Sequence, residues 1–164
     1  MIRIITDSAA DLTAQDLAQP GVAVVPMCVT FADDTTVEDD GRMTRDEFFT
    51  HLANDPKLPR TSQPSPAAFM EAYADAELAG EEAVVITVAA KLSGTYQSAK
   101  LAAEDVDTKV YVIDSETATQ GEALIVREAL RLREEGLTAG EIAEALERFK
   151  KRIRIVAVVD SLNI

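Results

Sequence analysis

Ile2-Arg3-Ile4-Ile5-Thr6-Asp7-Ser8 is a short β-branched run that stops at an acid and a hydroxyl, and the same ending recurs at Val112-Ile113-Asp114-Ser115 and Val158-Val159-Asp160-Ser161. Another such run, residues 83–89, feeds a loop that carries Ser93. With residues 22–31 added, five segments (2–6, 22–31, 83–89, 110–113 and 153–159) read as strands that alternate with helical patterns. That alternation is the signature of βα units around a largely parallel sheet. The expected fold is a three-layer α/β/α arrangement with a mostly parallel sheet. In such a sheet the Asp-Ser endings share one edge, and ligands bind at that carboxyl edge, near the point where the strand order reverses. Asp and Ser at these places also suit the ordinary capping of following helices.

Helix boundaries are punctuated by chemistry. Thr44-Arg45-Asp46-Glu47 and Thr138-Ala139-Gly140-Glu141 are capping boxes, Ser65-Pro66 is an N-cap followed by proline, and Gly80 and Gly136 are stops. Between Gly121 and Glu135, Leu124, Ala129 and Leu132 form the expected buried stripe against Arg127, Arg131 and Glu134. Residues 32–42 are polar and acidic. Thr35-Thr36-Val37 within them reads as a strand paired back on the run ending at Phe31, a hairpin at an edge of the sheet.

Composition narrows the functional classes. The chain has 164 residues, 47% of them hydrophobic and 27% charged, which suits one globular domain spanning residues 1–164. A net charge of −13 works against sequence-independent binding to nucleic acid or anionic lipid. The basic cluster Lys150-Lys151-Arg152 with Arg154 reads as a solvated helix end. No apolar run approaches the roughly 18 residues of a membrane helix, and the opening residues reach Asp7 too early for a signal peptide, so a cytoplasmic protein is expected. Cys28 is the single cysteine, which leaves no disulfide or cysteine metal site within the chain and reads as a small core residue.

Two hydroxyl-rich runs carry the chemistry: Thr61-Ser62-Gln63-Pro64-Ser65 and Leu92-Ser93-Gly94-Thr95-Tyr96-Gln97-Ser98-Ala99. Each precedes a helix, where free N–H groups, the helix dipole and side-chain hydroxyls converge on an anion. Gly94 permits close approach of backbone to a ligand. Capping explains Ser65 and Pro66 but leaves Thr61 and Ser62 free. Nucleotide-binding glycine fingerprints are missing. His51, the only histidine, sits in a helical stretch with Phe48, Phe49 and Leu52, no Gly-x-Ser-x-Gly elbow exists, and a serine hydrolase is not supported. The stretch from Thr36 to Glu47 has the spacing of a calcium loop but places Thr36 where the first Asp belongs, and Glu47 already serves a capping box; no metal site is expected.

Together the segments Ile5-Thr6-Asp7-Ser8-Ala9-Ala10-Asp11-Leu12, Val24-Val25-Pro26-Met27, Asp40-Gly41, Thr61 to Ser65, Leu92 to Ala99 and Val112 to Ser115 resemble the DegV family of bacterial fatty-acid-binding proteins, which includes the lipid-carrying subunit of fatty acid kinase. The resemblance covers nearly the whole chain. It implies a carrier without a cofactor, not an enzyme, that holds the carboxylate of a long-chain fatty acid such as palmitate, stearate or oleate. The ligand-binding residues would be Thr61, Ser62, Ser93, Gly94 and Thr95, with the tail in an apolar tunnel between two lobes. Asp7, Ser8, Asp114 and Ser115 would organise the loops. A separate kinase subunit would perform the phosphorylation.

The sequence departs from the family twice. The family's second α/β lobe, with a His and an Arg near the head group, has no counterpart here, so the chain corresponds to the N-terminal lobe and weak or shared lipid binding is expected. Gly121-Glu122-Ala123 stands where many members have Gly-x-Gly. The alternative function is a phosphate- or nucleotide-binding lobe of a kinase-like enzyme, with Asp7 and Asp114 holding magnesium.

Overall fold

The computed structural model describes residues 1–156. Along the chain run β1 (Arg3–Asp7), α1 (Ala14–Leu17), β2 (Val22–Val25), β3 (Cys28–Thr30), β4 (Thr36–Glu38), α2 (Arg45–Asn54), β5 (Arg60–Ser62), α3 (Pro66–Leu78), β6 (Ala83–Thr87), α4 (Thr95–Ala103), β7 (Val110–Asp114), α5 (Gln120–Glu134) and α6 (Ala139–Phe149). Four strands form a parallel sheet in the order β2-β1-β6-β7.

Period-two alternation divides each central strand between two cores. Ile4, Val84, Ile86 and Ile113 face α5 and α6, where Ile125, Val126, Ala129, Ile142 and Leu146 cover them. Ile5, Val25, Ala83 and Val85 face α3 and α4, where Phe69, Tyr73, Ala76, Ala99 and Ala102 lie. Helices on both faces of a parallel sheet make the three-layer α/β/α fold, and all five residues of β6 are buried, as a central strand of such a sheet requires.

The predicted caps form. Thr44 and Thr138 each close a reciprocal capping box with Glu47 and Glu141, and Ser65 accepts from Ala68 N ahead of Pro66. Gly80 and Gly136 follow the ends of α3 and α5 with φ of +65° and +87°. A further capping box, Thr13 with Asp16, opens α1, and Arg127 of α5 grips that Asp16 with two hydrogen bonds of 2.9 and 2.8 Å.

Several expectations need correction. The run 22–31 is two strands in two sheets. At Pro26 the chain has no N–H to donate and leaves the parallel sheet after Val25. The hairpin of β3 and β4 forms, but within a separate antiparallel sheet of order β4-β3-β5 rather than on the edge of the main one. Cys28 on β3 is only half-buried. Leu124 is 47% exposed, because at 100° per residue it lies well round the helix from Ala129; Ile125 and Val126 take its place in the core. Lys150 is buried instead of solvated, its Nζ held by Asp114 O at 2.9 Å, Glu116 at 3.0 Å and Glu147 at 2.7 Å. Residues 153–156 are not in a strand, and the rest of that expected strand, with Asp160-Ser161, lies outside the described residues. Among the described residues no helix is long and apolar enough to cross a membrane.

Candidate functional site

β1 is flanked by β2 on one side and β6 on the other, so the chain order reverses between β1 and β6. A crevice at the carboxyl ends of these strands is the place where such sheets accept ligands. Asp7 closes its floor from below. The buried carboxylate accepts from Ala9 N at 3.0 Å and from Val88 N at 2.8 Å, so one side chain ties the end of β1 to the loop after β6. Ser8 Oγ accepts from Met27 N at 3.1 Å. Asp114 accepts from Ala90 N at 3.0 Å and Glu116 N at 2.9 Å. Ser115 Oγ donates to Thr117 O at 3.1 Å and accepts from Thr117 N at 3.2 Å. All four side chains fix loop backbone along the carboxyl edge.

Above this floor lies a groove of about 800 Å³ onto which Thr61, Ser62, Ser93 and Gly94 all open. Ala9 and Val88 form its base, and Met27, Val29 and Leu92 supply an apolar wall. Thr61 and Ser62 reach it from β5, an exposed edge strand whose existence depends on pairing with β3, Val29 opposite Thr61. Ser93 and Gly94 reach it from the start of α4, whose first amides have no carbonyl partner within the helix. Thr95 does not line the groove. It is fully buried, and its hydroxyl meets Ser93 Oγ at 2.8 Å while its N–H donates to the same oxygen at 3.3 Å.

Gln63 joins the two halves of the groove, a role that the sequence analysis left unassigned. Its Nε2 donates to Ser98 Oγ of α4 at 3.2 Å, and its amide lies against Gly94, where an added Cβ would meet Gln63 Oε1 at 2.1 Å. The Cβ side of Gly94 is thus filled by Gln63, while the glycine also borders the groove. With φ of −75° the glycine is needed for that approach and not for its backbone angles. Gly94→Ala is therefore expected to lose about 1 kcal/mol of stability as the Gln63 amide swings away from Ser98. In a Gln63→Ala background the same change should be neutral or stabilising. Urea unfolding of the four proteins of this cycle checks the coupling.

The remaining candidates lie elsewhere. The His51 ring stacks on Phe31 with centroids 4.2 Å apart, and its Nδ1 is 3.1 Å from Asp55 Oδ2. It lines a separate cleft with Glu38, Asp40 and Glu47, which none of Thr61, Ser62, Ser93 and Gly94 enters. In the acidic stretch Asp40 binds Arg42, and Glu47 is engaged by the Thr44 cap. Glu122 is the second residue that sequence reading passed over: it is fully buried under β1 and accepts from Thr6 Oγ1 at 3.0 Å. The available signal was its helical spacing, since Glu122 shares a face with Val126 and Ala129.

An α/β protein with a hydroxyl-lined groove beside the switch point of a parallel sheet is the class these features define. The chain belongs to the DegV family: a family model described as "Uncharacterised protein, DegV family" matches residues 1–164. A DegV domain-containing protein of Deinococcus radiodurans is 36% identical over 162 residues, covering 99% of this chain and 57% of that protein. The chain thus spans little more than half the length of the curated relatives it matches. Among solved structures, a DegV family protein from Thermus thermophilus described for its fatty acid binding has a TM-score of 0.83 and 34% identity, covering 92% of this chain and 53% of that one. The Streptococcus pneumoniae Fatty Acid Kinase (Fak) B3 protein loaded with linoleic acid has a TM-score of 0.81 and 28% identity, covering 92% and 54%.

Proposed function

We propose that this chain is the head-group lobe of a cytoplasmic fatty-acid carrier. The groove between β5 and α4 holds the carboxylate of a long-chain acid such as palmitate, stearate or oleate, and a separate kinase phosphorylates it. The reading rests on the convergence of Thr61, Ser62, Ser93 and Gly94 on one groove with an apolar wall. An anionic head is served by hydroxyls and by the positive end of α4, and an acyl chain by Met27, Val29 and Leu92. The acids bound by the Thermus and pneumococcal relatives support the same ligand class. Residues 1–164 act as one lobe, and the rest of the tail is left to a second lobe or to another chain. Burying about sixteen carbons at roughly 0.8 kcal/mol each contributes on the order of 10 kcal/mol before ordering costs, so the head-group lobe binds more weakly than a two-lobed protein.

Calorimetry on the delipidated chain tests this reading. Palmitate or oleate is expected to bind saturably with and without magnesium. Magnesium-dependent nucleotide binding with no response to either acid would instead establish an enzyme lobe.

A further inference from the structure

Glu122 lies in the first turn of α5, completely buried. Thr6 Oγ1 donates to its Oε1 at 3.0 Å, while its Oε2 has no hydrogen-bond partner among the described residues. Asp7, next to Thr6 on β1, is the charged group that acts on it. Both Asp7 oxygens are already engaged by the amides of Ala9 and Val88, the residues at the base of the groove. The other elements packed on α5 bring no compensating charge. β6 and the 3-10 turn Ser8–Ala10 contain no ionisable side chain. α6 turns Ala139, Ile142, Ala143 and Leu146 inward and leaves Glu141, Glu144, Glu147 and Arg148 exposed. Lys150 is held by Glu116, Glu147 and Asp114 O.

We infer that Glu122 is a positioning residue that works as a neutral carboxylic acid, leaving Asp7 as the single anion at the switch point, where it fixes the Ala9 and Val88 amides of the groove floor. Two carboxylates packed here without a cation would repel each other in a poorly solvated interior. An unsatisfied neutral oxygen costs far less than an unpaired buried charge. Burial and the neighbouring Asp7 charge push Glu122 up to about 9, and burial pushes Asp7 up to about 6 against its two amide donors. The inference holds whatever the groove binds.

The pH dependence has a definite sign. Each carboxyl holds its proton more tightly in the folded chain than in the unfolded one, where the usual values are 3.8 for Asp7 and 4.5 for Glu122. Their contribution to stability is full below those values and is lost as pH rises, through about 6 for Asp7 and about 9 for Glu122. Between about pH 6.5 and 8.5 the linkage is therefore mainly that of Glu122.

Urea unfolding of the chain and of Glu122→Gln across that window is the test. The unfolding constant of the wild-type chain should rise about tenfold per pH unit relative to the variant, whose amide keeps the shape and removes the proton. In ¹⁵N spectra carried up to about pH 10 the Ala9 and Val88 amides should show a step near 9 in the wild-type chain that the variant lacks, whereas the step near 6 belongs to Asp7 and is common to both. Parallel pH profiles, or an amide step near 9 that both proteins share, would overturn the inference. If Glu122→Gln does not fold, the isotope-edited infrared spectrum of ¹³C-glutamate-labelled wild-type chain decides. A protonated glutamic acid band at neutral pH is expected, and its absence would also overturn the inference.

Discussion

Replacing Thr61 and Ser93 together by alanine is expected to weaken palmitate binding roughly 30- to 150-fold, the equivalent of about 2–3 kcal/mol. Each hydroxyl can donate one charge-assisted hydrogen bond to a carboxylate, worth about 1.5–3 kcal/mol when shielded from water. The expected sum is set lower because Thr61 is exposed on β5, so water replaces part of what its hydroxyl gives. The two single changes should differ in stability. Thr61→Ala should be near neutral, whereas Ser93→Ala strips the buried Thr95 hydroxyl and N–H of their partner and should cost about 1–2 kcal/mol. Affinity should therefore be compared at a temperature where both proteins remain folded. Hexadecanol, which has the tail but no anionic head, should bind the double variant and the wild-type chain nearly equally. An unchanged palmitate affinity in the double variant would remove these two residues from the site.

The parts of this molecule that a sequence reading reaches are those in which local pattern and tertiary role coincide. β1, β6 and β7 are β-branched runs bounded by polar stops, and the threonine caps need only residues three positions apart. β5 shows the opposite case. Arg60, Thr61 and Ser62 have no apolar alternation and are all exposed, so nothing local marks a strand; it exists because β3 offers an edge. The same partner explains why the largely apolar run from Val22 to Phe31 divides. Pro26 was the local clue, but the second sheet that receives β3 is a long-range fact. Site chemistry follows this division. Thr61 and Ser62 stand out as hydroxyls that capping does not explain, and Ser93 and Gly94 as a hydroxyl and a glycine at a helix start, whereas Gln63 matters only because the β5 and α4 segments meet across 35 residues of chain. Lys150 looks like a solvent-facing charge until the packing around it is known, whereas the helical spacing of Glu122 with Val126 and Ala129 already places it on the buried face.

Tyr73→Ala is expected to lower stability by about 3–5 kcal/mol, and Tyr73→Phe by only about 1 kcal/mol. Tyr73 of α3 is fully buried, with its ring centroid 6.0 Å from that of Phe69 and its hydroxyl donating to Ala99 O of α4 at 3.0 Å. Truncation to alanine removes the ring from the core between these helices and the sheet, and neighbours already in close contact cannot collapse to fill the space. Phenylalanine keeps the ring and leaves a single carbonyl short of one donor, hence the smaller loss. Burial raises the hydroxyl well above its usual range, so it remains a neutral donor and the two losses should not change with pH near neutrality. For a domain of this size the alanine variant should melt on the order of 10 °C lower. Because α3 follows the Thr61-Ser62-Gln63 segment and α4 begins beside Ser93, this contact holds together the two helices that present the groove. Tyr73→Phe preserves that spacing and should bind palmitate within about threefold of the wild-type chain, since a factor of three is less than one weak hydrogen bond. Thermal unfolding and calorimetry on the three proteins separate the two effects. A phenylalanine variant as unstable as the alanine variant would show that the hydroxyl bond, and not the packed ring, holds α3 to α4.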